Sequence, residues 1–235
     1  MPNTSDIQPF NATCGGGLVL NKDVYDMQPG EALQLINFEP STEGGYRRLN
    51  GTTKYNSTIV PQVSLANERV QMSAIFNDKI IVARGGTVSY GGTSGSWTSL
   101  ATSQGATHTY DFDKFNFNGT SKIIIATGEA AAFTVDSSFN VDVINATGGG
   151  TAPTNPKFVK TFANHVFYGG MSNSTHSILF SVPFSEDNFT SGSGAGEIKV
   201  GDIVTGLKVF RDELFIFCQR KIYKLTGTTS TNFAL

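Results

Sequence analysis

Asp111 and Asp113 alternate within THTYDFDKFNF (Thr107–Phe117), so in an extended chain both carboxylates share one face. Hydrolysis of a glycosidic bond uses such a carboxylate pair. The plainer role of an Asp-Phe-Asp strand is a solvated edge, and nothing nearby completes a catalytic set. His108, His165 and His176 are scattered without ligand-like spacing, and no carboxylate joins them in a metal pattern. Gly192, Gly194 and Gly196 in SGSGAGE resemble half of a phosphate loop, but no Gly-Lys-Ser/Thr follows. There is no G-x-S-x-G elbow, and Trp97 follows GGTSGS without the Asp of a sialidase aspartate box. The expectation is a protein that is not an enzyme, with no catalytic residues, metal or cofactor.

Large aromatics and paired arginines offer contact chemistry instead. Phe115 and Phe117 fall on one face of their strand and Phe112 on the other, so the first two are interface anchors or plain core. Arg47 and Arg48 are either partners for acidic groups on a neighbour or the solvated residues of a loop. Composition favours β structure, with Gly, Asn and Ser supplying turns and Thr, Phe, Val and Ile suiting pleated surfaces. Charged residues make up 15 % of the chain, against about 25 % in an ordinary domain. A net charge of −2 lacks the basic excess of a general nucleic-acid binder. No apolar run approaches the roughly 18 residues of a membrane span, and the N-terminus lacks the pattern of a secretory signal. Cys14 and Cys218 make no disulfide framework. They are expected as free thiols, with Cys218 packing as a small hydrophobe. Eight Asn-x-Ser/Thr triplets follow from a composition rich in those residues.

The elements that must hold these residues are short strands. Gly206–Gly227 contains three apolar runs, Leu207–Phe210, Leu214–Phe217 and Ile222–Leu225, parted by Arg211-Asp212 and Arg220-Lys221. Each run is too short for a helix, and the breaks are hairpin-sized. Weaker versions begin near residues 71, 107 and 157, with turns at Asn77-Asp78, Gly85-Gly86, Asn118-Gly119, Ala163-Asn164 and Gly169-Gly170. The second-strand markers Ile80, Ile123, Val166 and Leu214 are 43, 43 and 48 residues apart. That period is the sequence signature of propeller blades. The expected fold is all-β and β-propeller-like, with about four short-stranded antiparallel blades over 61–235; a β-sandwich is the alternative. Residues 1–60 are expected to form an extended arm and a turn-rich segment with one short helix at Gly30–Phe38. The chain stops where another strand is due, which suggests the front part of a longer protein or a fold completed by other chains.

Two segments resemble the tail hub, nozzle or "stabilisation" proteins of short-tailed bacteriophages. Gly16–Tyr55 is similar in its GG-Leu opening, its GEA segment ending in Asn-Phe, and its Gly-Tyr-Arg-Arg before a Gly-Thr turn. Ile178–Gly227 is similar through ILFSVPFSEDNF and KVGDIVTGLKVFRDELFIFCQRKIYKLTG. Together they cover about 90 of 235 residues. The resemblance implies a non-enzymatic virion protein, made in the host cytoplasm. It also implies a homo-oligomeric ring, commonly of six copies, that meets the portal and adaptor and the tail fibre or tip proteins. DNA would pass through it without sequence-specific binding. The alternative function is a carbohydrate-binding propeller or adhesin, suggested by Asn/Thr/Gly loops and scattered aromatics.

Overall fold

The computed structural model describes residues 15–41, 45–63 and 69–235. The chain divides into two compact units, 1–54 and 55–235, a few residues short of the boundary expected at 60. Asn56 explains the difference: its amide donates to the carbonyls of Gly92 and Gly95, which fastens it to the second unit.

The first unit is built from two small ladders. Strand β1 (Gly17–Leu18) pairs in parallel with β2 (Glu31–Ala32), and β3 (Phe38–Pro40) pairs antiparallel with β4 (Tyr46–Arg48). The helix expected at Gly30–Phe38 does not form. Gly30 (φ 93°) and Asn37 (φ 61°) are left-handed at either end. The Glu31 carboxylate accepts from Gln28 N–H at 2.8 Å and pairs with Lys22 at 2.7 Å. A nine-residue helix needs tertiary burial of one face, yet Leu33 and Ile36 stay exposed. The helical turn lies earlier, a 3-10 turn at Val24–Asp26 whose Asp23 cap accepts from Tyr25 N–H.

The second unit is a four-bladed β-propeller arrangement. Blade 1 comprises β5 (Val70–Phe76), β6 (Lys79–Arg84), β7 (Thr87–Gly91) and β8 (Thr98–Ala101). Blade 2 comprises β9 (Asp111–Phe117), β10 (Thr120–Ala126), β11 (Phe133–Asp136) and β12 (Val141–Val143). Blade 3 comprises β13 (Phe158–Phe162), β14 (His165–Met171), β15 (Ser174–Phe180) and β16 (Gly196–Lys199). Blade 4 comprises β17 (Val204–Phe210), β18 (Glu213–Cys218) and β19 (Ile222–Leu225), with an antiparallel bridge from Thr226 to Ala234 beyond them. Each sheet is an antiparallel meander. First strands of adjacent blades touch, β9 against β13 and β13 against β17, as inner strands around a propeller axis do.

Left-handed turn pairs set the registers. Asn77-Asp78, Asn118-Gly119, Ala163-Asn164 and Arg211-Asp212 all have positive φ at both residues, as tight two-residue hairpins demand. Gly169-Gly170 does not turn as expected. It lies inside β14 as a bulge, and the chain reverses between Met171 and Ser174. A Cβ on Gly170 (φ 65°) would come within 3.0 Å of the Phe158 ring, so a side chain there would be strained and would have to push that ring aside.

Three apolar cores join the blades in sequence. The forward face of each blade (towards the next in the chain) packs on the backward face of its successor. Met72, Phe76 and Ile81 of blade 1 meet Ile123, Ile125 and Phe133 of blade 2. Phe115, Phe117 and Ile124 of blade 2 meet Val159, Val166 and Tyr168 of blade 3. Phe162, Phe167 and Ile178 of blade 3 meet Leu207, Leu214 and Ile216 of blade 4. Among the described residues, no comparable cluster joins blade 4 to blade 1.

Candidate functional site

Asp111 and Asp113 work at the seam between blades 2 and 3. Alternation on β9 aims both carboxylates at β13, the neighbouring inner strand. Asp111 accepts from Val159 N–H at 3.0 Å and from Lys160 Nζ at 2.6 Å. Asp113 accepts from Thr161 N–H at 2.7 Å and Thr161 Oγ1 at 2.8 Å. Amides two residues apart on one strand thus meet carboxylates two residues apart on the next. These bonds are charge-assisted and occupy the oxygens that acid/base work would need free. The Lys160 ammonium is filled as well, donating to the carbonyls of Phe112 and Val159.

The segment Val182–Phe189, within one of the quoted motifs, reinforces the same seam. Glu186 pairs with Lys122 of blade 2, and its carbonyl accepts from the Tyr168 hydroxyl at 2.9 Å. Asp187 accepts from Thr147, and Phe189 N–H donates to the Gly149 carbonyl at 3.0 Å. Asp202, in the following motif, accepts from the amides of Ile203 and Arg220 at 2.8 and 2.9 Å, joining the start of blade 4 to its second hairpin. The Arg220 amide foremost holds that carboxyl below its ordinary range. At the connector between blades 1 and 2, Glu129 accepts from the amides of Thr107 and His108. Burial pushes its pKa up, but those donors together hold it below the usual value.

Of the residues suggested for contact, Phe117 is core, buried between blades 2 and 3 with the Lys122 ammonium over its ring. Phe115 is half-buried against it, ring centroids 4.9 Å apart, and lines a cavity of about 410 Å³ with Thr161, Val209 and Asp212. Arg47 pairs with Glu39 at 2.6 Å across the β3–β4 ladder, and exposed Arg48 borders a shallow depression with Asn37 and Asn50. The arginines belong to the first unit and the phenylalanines to the second. The histidines stay apart. His108 lies in a connector, His176 is exposed on β15, and His165 is buried against Phe180 and Phe233 with Nδ1–H donating to the Ser181 carbonyl at 2.6 Å. Desolvation lowers the His165 pKa, opposed by that hydrogen bond. Among the described residues no group of three His, Cys, Asp or Glu is placed to hold a metal, and no helix is long and apolar enough to cross a membrane. Cys218 is buried with a free thiol, as expected; Cys14 lies outside the described residues.

Sequence reasoning missed the forward face of blade 4. Phe76, Phe117, Phe162 and Phe210 each end a first strand just before the left-handed turn. The first three are buried, whereas Phe210 is 57 % exposed. Phe217 (38 % exposed) sits in register opposite Ile222 (65 % exposed) on the same face. The signal was LFIFC (Leu214–Cys218), a run apolar at every position, which describes a strand buried on both faces. Here Leu214, Ile216 and Cys218 face blade 3, while Phe215 and Phe217 face away from it.

No family model and no curated protein matches the sequence. Solved structures match at the level of the propeller. Sqt1 of Saccharomyces cerevisiae superposes with a TM-score of 0.50 at 12 % identity, over 84 % of this chain and 54 % of that one. A chain of the mitotic checkpoint complex gives 0.46 at 13 %, over 71 % and 51 %. BBS1N, in complex with ARL6DN, gives 0.45 at 10 %, over 68 % and 49 %. The chain spans about half the length of each. At such identities the likeness concerns fold alone.

Proposed function

We propose that this chain is a structural protein of a short-tailed bacteriophage tail, part of the hub or nozzle ring below the portal and adaptor. The reading rests on the ordered pair of sequence likenesses, Gly16–Tyr55 followed by Ile178–Gly227, on one chain. What the second stretch does in the fold supports it: Glu186 and Asp187 tie blade 3 back to blade 2 and the connector after it, and Asp202 ties the start of blade 4 to its own second hairpin. The paired carboxylates of β9 serve the same end. In this role DNA passes without base readout, for which a mildly acidic chain is suited. The test is mass spectrometry and electron microscopy of purified virions, together with binding of the full chain to the adaptor and portal. Ring density beneath the adaptor, containing this chain, is expected. Absence from virions with no adaptor binding would overturn the proposal, and binding on a glycan array would then favour a carbohydrate-binding propeller.

A further inference from the structure

Residues 55–63 lie against blade 1 without joining its sheet, and none of them is in a strand. What ties them down is polar. Asn56 Nδ2 donates to the carbonyls of Gly92 and Gly95 at 3.0 and 3.2 Å. Trp97 Nε1–H donates to the Thr58 carbonyl at 2.9 Å, and Arg84 Nη1 donates to the Val60 carbonyl at 2.8 Å. The segment's large apolar side chains add little, since Ile59 is 77 % exposed and Val63 59 %.

The β6–β7 register shows which side of the blade this is. Arg84 pairs with Thr87, Val82 with Ser89 and Ile80 with Gly91, so alternation puts all six on one face. Ile81, Ala83 and Val88 are on the other, in the core shared with blade 2. On the first face Val82, Thr87 and Ser89 are buried, and the Trp97 ring lies where a Cβ on Gly91 would stand. Yet among the described residues the hydroxyls of Thr87 and Ser89 have no hydrogen-bond partner, and neither has Oε1 of Gln62 in the segment itself. Shutting such groups away from water without a partner is unfavourable.

We propose that residues 55–63 are a strap that lifts from blade 1 while the blade stays folded, baring Val82, Thr87 and Ser89. Side-chain bonds to a few carbonyls hold it, its apolar residues already face solvent, and opening lets water reach three polar atoms that closure leaves unsatisfied. Opening stays local because the core of blade 1 lies on the opposite face of the same strands. The inference is independent of the tail reading.

The test is thiol labelling of the full chain under native conditions, read residue by residue by peptide mass spectrometry. Ser89→Cys places a thiol beneath the strap, and Ala83→Cys places one on the core face of β6. The first should react at least about 100-fold faster than the second, at a rate nearly independent of low urea concentrations. In the Ser89→Cys background, Asn56→Ala should speed labelling at least about 5-fold, and Thr87→Val should slow it at least about 5-fold. Thr87→Cys repeats the measurement should Ser89→Cys fail to fold, and Trp97→Phe, which gives up the Thr58 bond but keeps a ring on Gly91, replaces Asn56→Ala in the same event. Labelling at position 89 no faster than at position 83 overturns the proposal. So does a rate that Asn56→Ala or Thr87→Val leaves unchanged.

Discussion

Removing one carboxylate from the seam between blades 2 and 3 tests the central structural claim. Asp113→Ala deletes the two bonds from Thr161 that cross the seam, besides a local one from Lys114 N–H. Hydrogen bonds to charged groups contribute about 1.5–3 kcal/mol each, but water replaces part of what is lost at this half-buried site, so a combined loss of about 2 kcal/mol, below their sum, is expected. For a unit of this size 1 kcal/mol moves Tm by about 2–4 °C, so a drop of about 4–8 °C is expected in calorimetry. Asp111→Ala should cost more, about 3 kcal/mol, since it strips Lys160 Nζ of its carboxylate partner in a largely buried setting. The double variant should cost less than the two added together, because both residues act on one junction. Lys114→Ala, exposed on the same strand, is the control and should stay within about 0.5 kcal/mol. If Asp113→Ala melted within about 1 °C of wild type, the carboxylates would be a solvated edge and the seam would owe its strength to apolar packing alone.

Three further outcomes follow from burial. Phe162→Ala should destabilise by about 3–5 kcal/mol, whereas Phe210→Ala, at the equivalent position of blade 4, should leave the unfolding of the monomer within about 1 kcal/mol; urea titration distinguishes them. His165 is held neutral by burial, with its pKa below 6.5 in the folded chain. The unfolded chain therefore binds the proton first, and stability should fall as pH drops below about 6.5, with a smaller loss in His165→Phe. Cys218 is buried, and burial foremost raises its thiol pKa, so peptide mapping after brief alkylation at pH 7.5 should find it unmodified until denaturant is added.

The turns were readable because their chemistry is local. Asn77-Asp78 and Asn118-Gly119 tolerate left-handed backbone, and the apolar runs beside them then become strands. The fourth strands of the first three blades, Thr98–Ala101, Val141–Val143 and Gly196–Lys199, went unread. They are short and at most half-buried, so neither alternation nor an apolar run marks them. GEALQLINF has helical composition, but Leu33 and Ile36 stay exposed, so no apolar face is buried there to hold a helix. The shared face of Asp111 and Asp113 was legible from their spacing, whereas their partners on β13 lie 48 residues on, beyond the reach of local pattern. Phe210 and Phe217 were missed for the opposite reason. An apolar strand announces burial, and no sequence signal says which of its two faces goes uncovered.

The uneven strengthening of the blade seams bears on how the molecule loses its order. Each vane leans only on those beside it, so disruption at one end spreads by single steps instead of collapsing the whole. Among the described residues, the outer two blades each pack on a single neighbouring blade and should fray first. The carboxylate clips and the Glu186 latch make the central joint the last to open, so a two-vane remnant with slow amide exchange should outlive the rest of the fold on gentle heating.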